Sequence, residues 1–218
     1  MTKQIQVAIL FADASGFSSL TPSQLNTFAS QVMGPLADIV KRYSPQVQNT
    51  WGDALFLIFN TAKEAAECAL SLRDKIQDTD WEDLGIPGGV QMRFALHNAH
   101  ATIVTDPFTN RPNAYGEHIN RTARLEPVAM ANEIFATSEF KVALDAFNQQ
   151  RLFAWDSVGT IPLAKGWPAA EVYRLRRPKE QPLTPDNLKT QASVRRLLNL
   201  PCPMHIGRSA SCSTIGSI

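Results

Sequence analysis

Residues 47–60 read Val-Gln-Asn-Thr-Trp-Gly-Asp-Ala-Leu-Phe-Leu-Ile-Phe-Asn. Two short runs, Val47–Trp51 and Ala54–Asn60, are separated only by Gly52-Asp53, the two-residue spacing of a tight β-hairpin. Upstream, residues 4–12 (QIQVAILFA) form an apolar, partly β-branched run that stops at Asp13, a strand buried on at least one face. After the small-residue turn Asp13–Ser19, Thr21-Pro22 supplies a cap and a first-turn proline to an amphipathic helix over 22–43, which Gly34-Pro35 is expected to bend. Downstream, Thr61 caps a second helix over 62–78, Thr79–Gly89 is a polar loop, and Val90–His97 is a fourth strand. The order β-α-β-β-α-β, complete by residue 97, predicts an α+β fold with a ferredoxin-like core. A C-terminal extension follows. It comprises a short strand at Thr102–Val104 after a turn at the two histidines, a loop at Asp106–Asn113 and a helix over Tyr115–Glu126 stopped by Pro127. A strand at Glu133–Thr137, a helix at Ser138–Phe147 and closing strands at Arg151–Leu163 and Ala169–Leu175 complete it.

The chain has 218 residues, 44% hydrophobic and 19% charged, which suits one sizeable core followed by a tail. Twenty-one Lys and Arg against 20 Asp and Glu leave a net charge of +1, so no nucleic-acid partner is expected. The longest apolar runs, Val7–Ala12 and Ala54–Phe59, are too short to span a bilayer, and Asp13 interrupts the first before a signal sequence could form. Cys68, Cys202 and Cys212 share no metal-ligand spacing and fit a reducing cytoplasm. From Arg176 onward prolines and small polar residues dominate, with a basic patch at Ser193–Leu200. Residues 1–176 therefore form the globular domain and 177–218 a partly disordered tail.

Several residues could carry chemistry. Asp13 ends the first strand and Asp53 sits in the hairpin that lies beside it in a split βαβ, so both carboxylates can reach one sheet edge. Two oxygen ligands without His or Cys suit Mg²⁺ or Mn²⁺, although an ordinary Gly-Asp turn and a loop-capping Asp13 would look the same. The turn Ala14-Ser15-Gly16-Phe17-Ser18 offers backbone amides at a helix start, as phosphate sites and ordinary turns both do. Asn120 and Arg124 stand four apart on one helix face, able to meet a sugar oxygen and a phosphate, or simply solvent. Lys165, in an Ala-Lys-Gly-Trp turn, is by itself an exposed lysine.

Order and spacing add what no single feature does. FADASGFSSL, NTWGDALFLIF, YGEHINRTARLE and LAKGWPAAEVYRL, in that order, resemble the four landmark segments of class III nucleotidyl cyclases over residues 5–176. The resemblance implies a homodimer with two active sites built across the interface. Asp13 and Asp53, with the Ala14 backbone, would hold two divalent metal ions, Mn²⁺ or Mg²⁺, on one protomer. From the other, Asn120 would orient the ribose and Arg124 stabilise the pentavalent phosphorus. Lys165 resembles the lysine that meets the terminal phosphates, and residues 14–18 would wrap the triphosphate. The implied reaction is attack of the ribose 3′-oxygen on the α-phosphorus of a nucleoside triphosphate, releasing pyrophosphate.

The base-selecting positions depart from the purine enzymes. Where adenylyl cyclases of this class carry a lysine and an aspartate, this chain has Asn49 and Asn113, and Trp51 replaces the usual aliphatic residue before Gly-Asp. The Glu and small Cys-type residue of guanylyl cyclases are likewise missing from these positions. Two amides and a bulky ring suit a pyrimidine if Trp51 points into the pocket rather than the core. The chain is similar to the stand-alone bacterial pyrimidine cyclases of anti-phage (Pycsar) defence, which implies UTP as substrate, cyclic UMP as product and a separate cyclic-nucleotide-binding effector. Because either amide can flip, CTP stays open, as do an adenylate or guanylate cyclase with atypical base contacts and a non-catalytic nucleotide-binding dimerisation module. Segment 105–114, rich in Pro and Asn, occupies the stretch that forms a dimer-contacting arm in relatives.

Overall fold

The computed structural model describes residues 4–148 and 150–184, so the basic patch at 193–200, Cys202 and Cys212 lie outside the described residues. Strand β1 (Gln4–Ser15) is followed by α1 (Pro22–Thr27), a π-helical stretch (Phe28–Met33) and α2 (Gly34–Arg42). The hairpin strands β2 (Val47–Trp51) and β3 (Ala54–Phe59), helix α3 (Ala62–Gln77) and β4 (Gln91–Thr105) complete the βαββαβ unit. Beyond it come β5 (Pro112–Tyr115), α4 (Glu117–Leu125), β6 (Ile134–Thr137), α5 (Ser138–Asp145), β7 (Ala154–Ile161) and β8 (Ala170–Arg176). One sheet runs in the order β2-β3-β1-β4-β6-β8-β7, with β5 paired on β4. The first four strands stand in the ferredoxin-like order, and β1 is antiparallel to both neighbours.

Alternation along β1 divides the interior in two. Ala8, Leu10 and Ala12 face a core built with α2, α3 and α5, whereas Val7, Ile9 and Phe11 face a second core covered by α4. Asp13 continues the second series and therefore emerges on the α4 face. Gly52, at φ 66°, makes the two-residue turn that joins β2 to β3. Thr61 closes a reciprocal capping box with Glu64 at the start of α3.

Four local expectations need correction. β1 runs on to Ser15, so Ala14 and Ser15 stand in the ladder opposite Met92 and Gln91 rather than in a turn. The turn is Gly16, at φ 93°, followed by one 3₁₀ turn. β4 is continuous through the two histidines, because the long β1 pairs it from Gln91 to Thr102 and leaves no gap for a turn. The helix irregularity falls before Gly34-Pro35: Pro35 can neither donate to nor pack against the preceding turn, which widens to π geometry over Phe28–Met33. Finally, residues 177–184, at the start of the expected tail, remain bonded to the domain. Arg73 holds Glu180 at 2.9 Å, the Leu183 amide donates to Asp156 at 3.0 Å, and Arg174 bridges Glu133, Asp156 and the Gln181 carbonyl. Among the described residues no helix is long and apolar enough to cross a membrane.

Candidate active site

Strand register brings the acids together. Asp13 sits between Ala54 on β3 and Arg93 on β4, and Asp53 is the turn residue next to Ala54. Asp13 is 5% exposed. Its Oδ2 accepts from Arg93 Nη2 at 2.6 Å, while its Oδ1 is buried without a hydrogen-bond partner. Partial burial and then the charge of Asp13 push the Asp53 carboxyl above its usual range. A buried carboxylate oxygen left open beside a second carboxylate that the first one repels is a donor set suited to a hard divalent cation. These two residues fit the metal role expected of them.

Arg93 carries a second partner. Its Nε lies 2.8 Å from Oε1 of Glu126, which follows α4 and is itself buried. Burial outweighs the pull of Arg93, and Asp13 and Asp53 add repulsion, carrying the Glu126 carboxyl up to about 8. Neither residue was anticipated from sequence. The available signal was Glu126 itself, an acid at a helix C-terminus where the helix dipole disfavours it.

Helix α4 packs on the same face through Ile119, Ala123 and Leu125. Asn120 is exposed and Arg124 half-buried, four residues apart as expected. Beneath them His97, fully buried on β4, bonds Thr137 Oγ1 through Nδ1 (2.8 Å) and His118 Nδ1 through Nε2 (3.0 Å), so α4 is pinned to the sheet by two imidazoles. Lys165 occupies a left-handed turn residue (φ 57°) and lines a hollow of about 490 Å³ with Glu117, Arg121 and Trp167. Of the expected phosphate turn, Phe17 packs edge-on against Phe28 (5.3 Å), and the Ser19 amide and hydroxyl both donate to the Gly16 carbonyl. Ser15 and Ser18 are exposed.

A cavity of about 580 Å³ lies between β2 and the β4–β5 turn, lined by Asn49, Trp51, Asp106, Thr109, Arg111 and Asn113 among others. The three expected base-selecting residues thus share one cavity. Trp51 is 42% exposed, with its ring stacked on Phe56 (5.6 Å) and tilted against Phe11 (6.1 Å). It therefore both borders the cavity and rests on the core. Asn49 Nδ2 donates to Asn113 Oδ1 at 3.0 Å.

A family model for the adenylate and guanylate cyclase catalytic domain matches residues 1–176. The chain belongs to this family. It is 29% identical over 107 residues to an adenylate cyclase of Neurospora crassa, a match covering 42% of this chain and 5% of that protein. The chain thus corresponds to a small part of that relative's length. Solved structures share the fold at low identity. Adenylate cyclases from Trypanosoma brucei in their monomeric state superpose with a TM-score of 0.69 at 18% identity, over 82% of this chain and 91% of theirs. The adenylyl cyclase CyaB from P. aeruginosa gives 0.67 at 17%, over 84% and 100%. The guanylate cyclase domain of RhGC from Catenaria anguillulae, in complex with GTP, gives 0.67 at 16%, over 80% and 98%. This cyclase domain accordingly has the class III nucleotidyl cyclase fold, with β6, α5, β7 and β8 extending the ferredoxin-like core.

Proposed function

We propose that this cyclase domain, residues 1–176, is a pyrimidine nucleotide cyclase that converts UTP to 3′,5′-cyclic UMP and pyrophosphate. The observation that carries the reading is the cavity in which two neutral amides, Asn49 and Asn113, meet at 3.0 Å beside the Trp51 ring. Neither amide brings a full charge to the base, and the indole narrows the space available to a second ring. Asp13 and Asp53 would hold the divalent metals, with the open Oδ1 of Asp13 turned to them. Bound there, the metals supply Lewis-acid polarisation of the phosphates and a lowered pKa for the ribose 3′-hydroxyl.

The protein groups do the rest. Asn120 orients the ribose so that its 3′-oxygen lies in line with the bond between the α-phosphorus and its bridging oxygen. Arg124 neutralises charge growing on the α-phosphoryl oxygens. Lys165 and the amides of the Gly16–Ser18 turn take the departing pyrophosphate. The 3′-hydroxyl gives its proton to water, its oxygen bonds to the α-phosphorus, the α–β bridging bond breaks, and the pyrophosphate leaves with that electron pair. Asp13 and Asp53 come from one protomer and Asn120, Arg124 and Lys165 from its partner, so the working unit is a homodimer. The product would act as a second messenger in anti-phage defence through a separate effector that binds it.

The test is an equimolar mixture of ATP, GTP, CTP and UTP with Mn²⁺, its products identified by mass. Cyclic UMP is expected. Cyclic CMP would keep the pyrimidine assignment and change the base, and a cyclic purine would overturn it.

A further inference from the structure

An asparagine side chain can face its partner with either end, so a pair of asparagines does not by itself choose a base. The cavity holds a residue that removes this freedom. Asp106 closes the turn between β4 and β5, and its Oδ1 accepts from the backbone amides of Phe108 (2.8 Å) and Thr109 (3.0 Å). Its Oδ2 accepts from Asn113 Nδ2 at 3.2 Å and from the Tyr115 hydroxyl at 3.1 Å. These donors, the Thr109 amide foremost, hold its carboxyl below the usual range, so it is an acceptor only at neutral pH.

Asn113 must therefore turn its amino group to Asp106, on the side where the Tyr115 oxygen also lies, at 3.4 Å. Its carbonyl then faces the other way and accepts from the Ala114 amide (2.9 Å) and from Asn49 (3.0 Å). The carbonyl of Asn113 is thus filled within the protein and its amino group is committed to Asp106. Asn49 must in turn give one amino hydrogen to Asn113. What it has left for an incoming base is its carbonyl oxygen and one N–H, in a fixed order.

Bases differ in that order. Uracil and guanine place a carbonyl acceptor beside a ring N–H, whereas cytosine and adenine place an amino donor beside a bare ring nitrogen. For a base held in one orientation by its ribose, a fixed amide pairs with one order and meets the other donor to donor. We propose that Asp106, acting through Asn113, locks the Asn49 amide and so makes this cavity discriminate keto bases from amino bases, deciding between uracil and cytosine. Asp106 is a positioning residue, and the inference rests on the reading that this cavity receives the base.

The experiment is calorimetric binding of ATP, GTP, CTP and UTP with Mn²⁺ to the full chain and to Asp106→Asn and Tyr115→Phe. Asp106→Asn keeps an oxygen for the loop amides but sets an amino group against that of Asn113. The wild type is expected to favour one base order within each ring size, UTP over CTP on the functional reading. In Asp106→Asn the keto-to-amino ratio should fall by about tenfold, the weight of one hydrogen bond. Should that variant fail to fold, Tyr115→Phe, which strips one donor from Oδ2, should lower the ratio about threefold. A wild type indifferent to base order overturns the proposal. So does an unmoved ratio, or an equal loss for all four nucleotides, which would mean that Asp106 only holds the loop. The comparison of ring sizes is separate: a wild type that favours GTP over ATP and neglects both pyrimidines would refute the pyrimidine reading and leave the lock standing.

Discussion

Asp13 shares its carboxylate between an arginine on one side and an open, buried oxygen on the other. Removing its neighbour tests whether that opening serves a cation. Asp53→Ala should lower turnover by about a hundredfold or more while the melting temperature holds or rises, since it relieves repulsion from Asp13. Retained Mn²⁺-dependent turnover would sink the metal assignment. Trp51→Ile should admit purines if the ring limits the cavity, read as the ratio of kcat/KM for UTP to that for GTP. An unchanged ratio would leave Trp51 a role only in the stack on Phe56. Asp13 was legible in the sequence as the residue that stops a strong apolar run, and Asp53 as half of the two-residue turn that precedes another. Arg93, Glu126 and Asp106 were not, because their partners are set by strand pairing and by a turn that folds back on itself, and the acid at the end of α4 is the only local signal of it.

At the scale of elements, α4 is held where β4 crosses beneath it. His97 is buried between Thr137 and His118, and its imidazole is depressed to about 4, first by burial, with Arg121 and His118 adding repulsion and Glu139 opposing. An unfolded chain takes up this proton near pH 6.5, but the folded one refuses it until about 4. Stability should therefore decline as pH falls from 6.5 to 4, and His97→Gln should flatten that part of the melting curve's pH dependence. A slope unchanged by the substitution would place the acid sensitivity elsewhere. Thr61→Ala, which opens the capping box of α3, should cost about 1 kcal/mol in denaturant unfolding without changing selectivity. The hairpin at Gly52-Asp53 and the capped helices could be read from local chemistry alone. The unbroken course of β4 could not, since the polar run His97–His100 looks like a turn until β1 is laid alongside it.

For the whole molecule, the proposed division of the site between protomers makes a quantitative forecast. Arg124→Ala and Asp13→Ala, each inactive alone, should together regain about a quarter of wild-type activity when mixed in equal amounts. Half the dimers are then mixed, and each carries one complete site. No recovery, with mixed dimers shown to form, would argue against a shared site. The order of the four resembled segments foretold the family because it survives at an identity where pairwise comparison reaches only 107 residues. The separation of duties within the sheet has a further consequence. The acids depend on the register of β1, β3 and β4, while the cavity depends on β2 and the turn at Asp106. On the proposed assignment, changing a few turn and edge residues would change the base accepted while leaving Asp13 and Asp53 in place. Selection for a different base would then act on one edge of the sheet, and selection for ring closure on its centre.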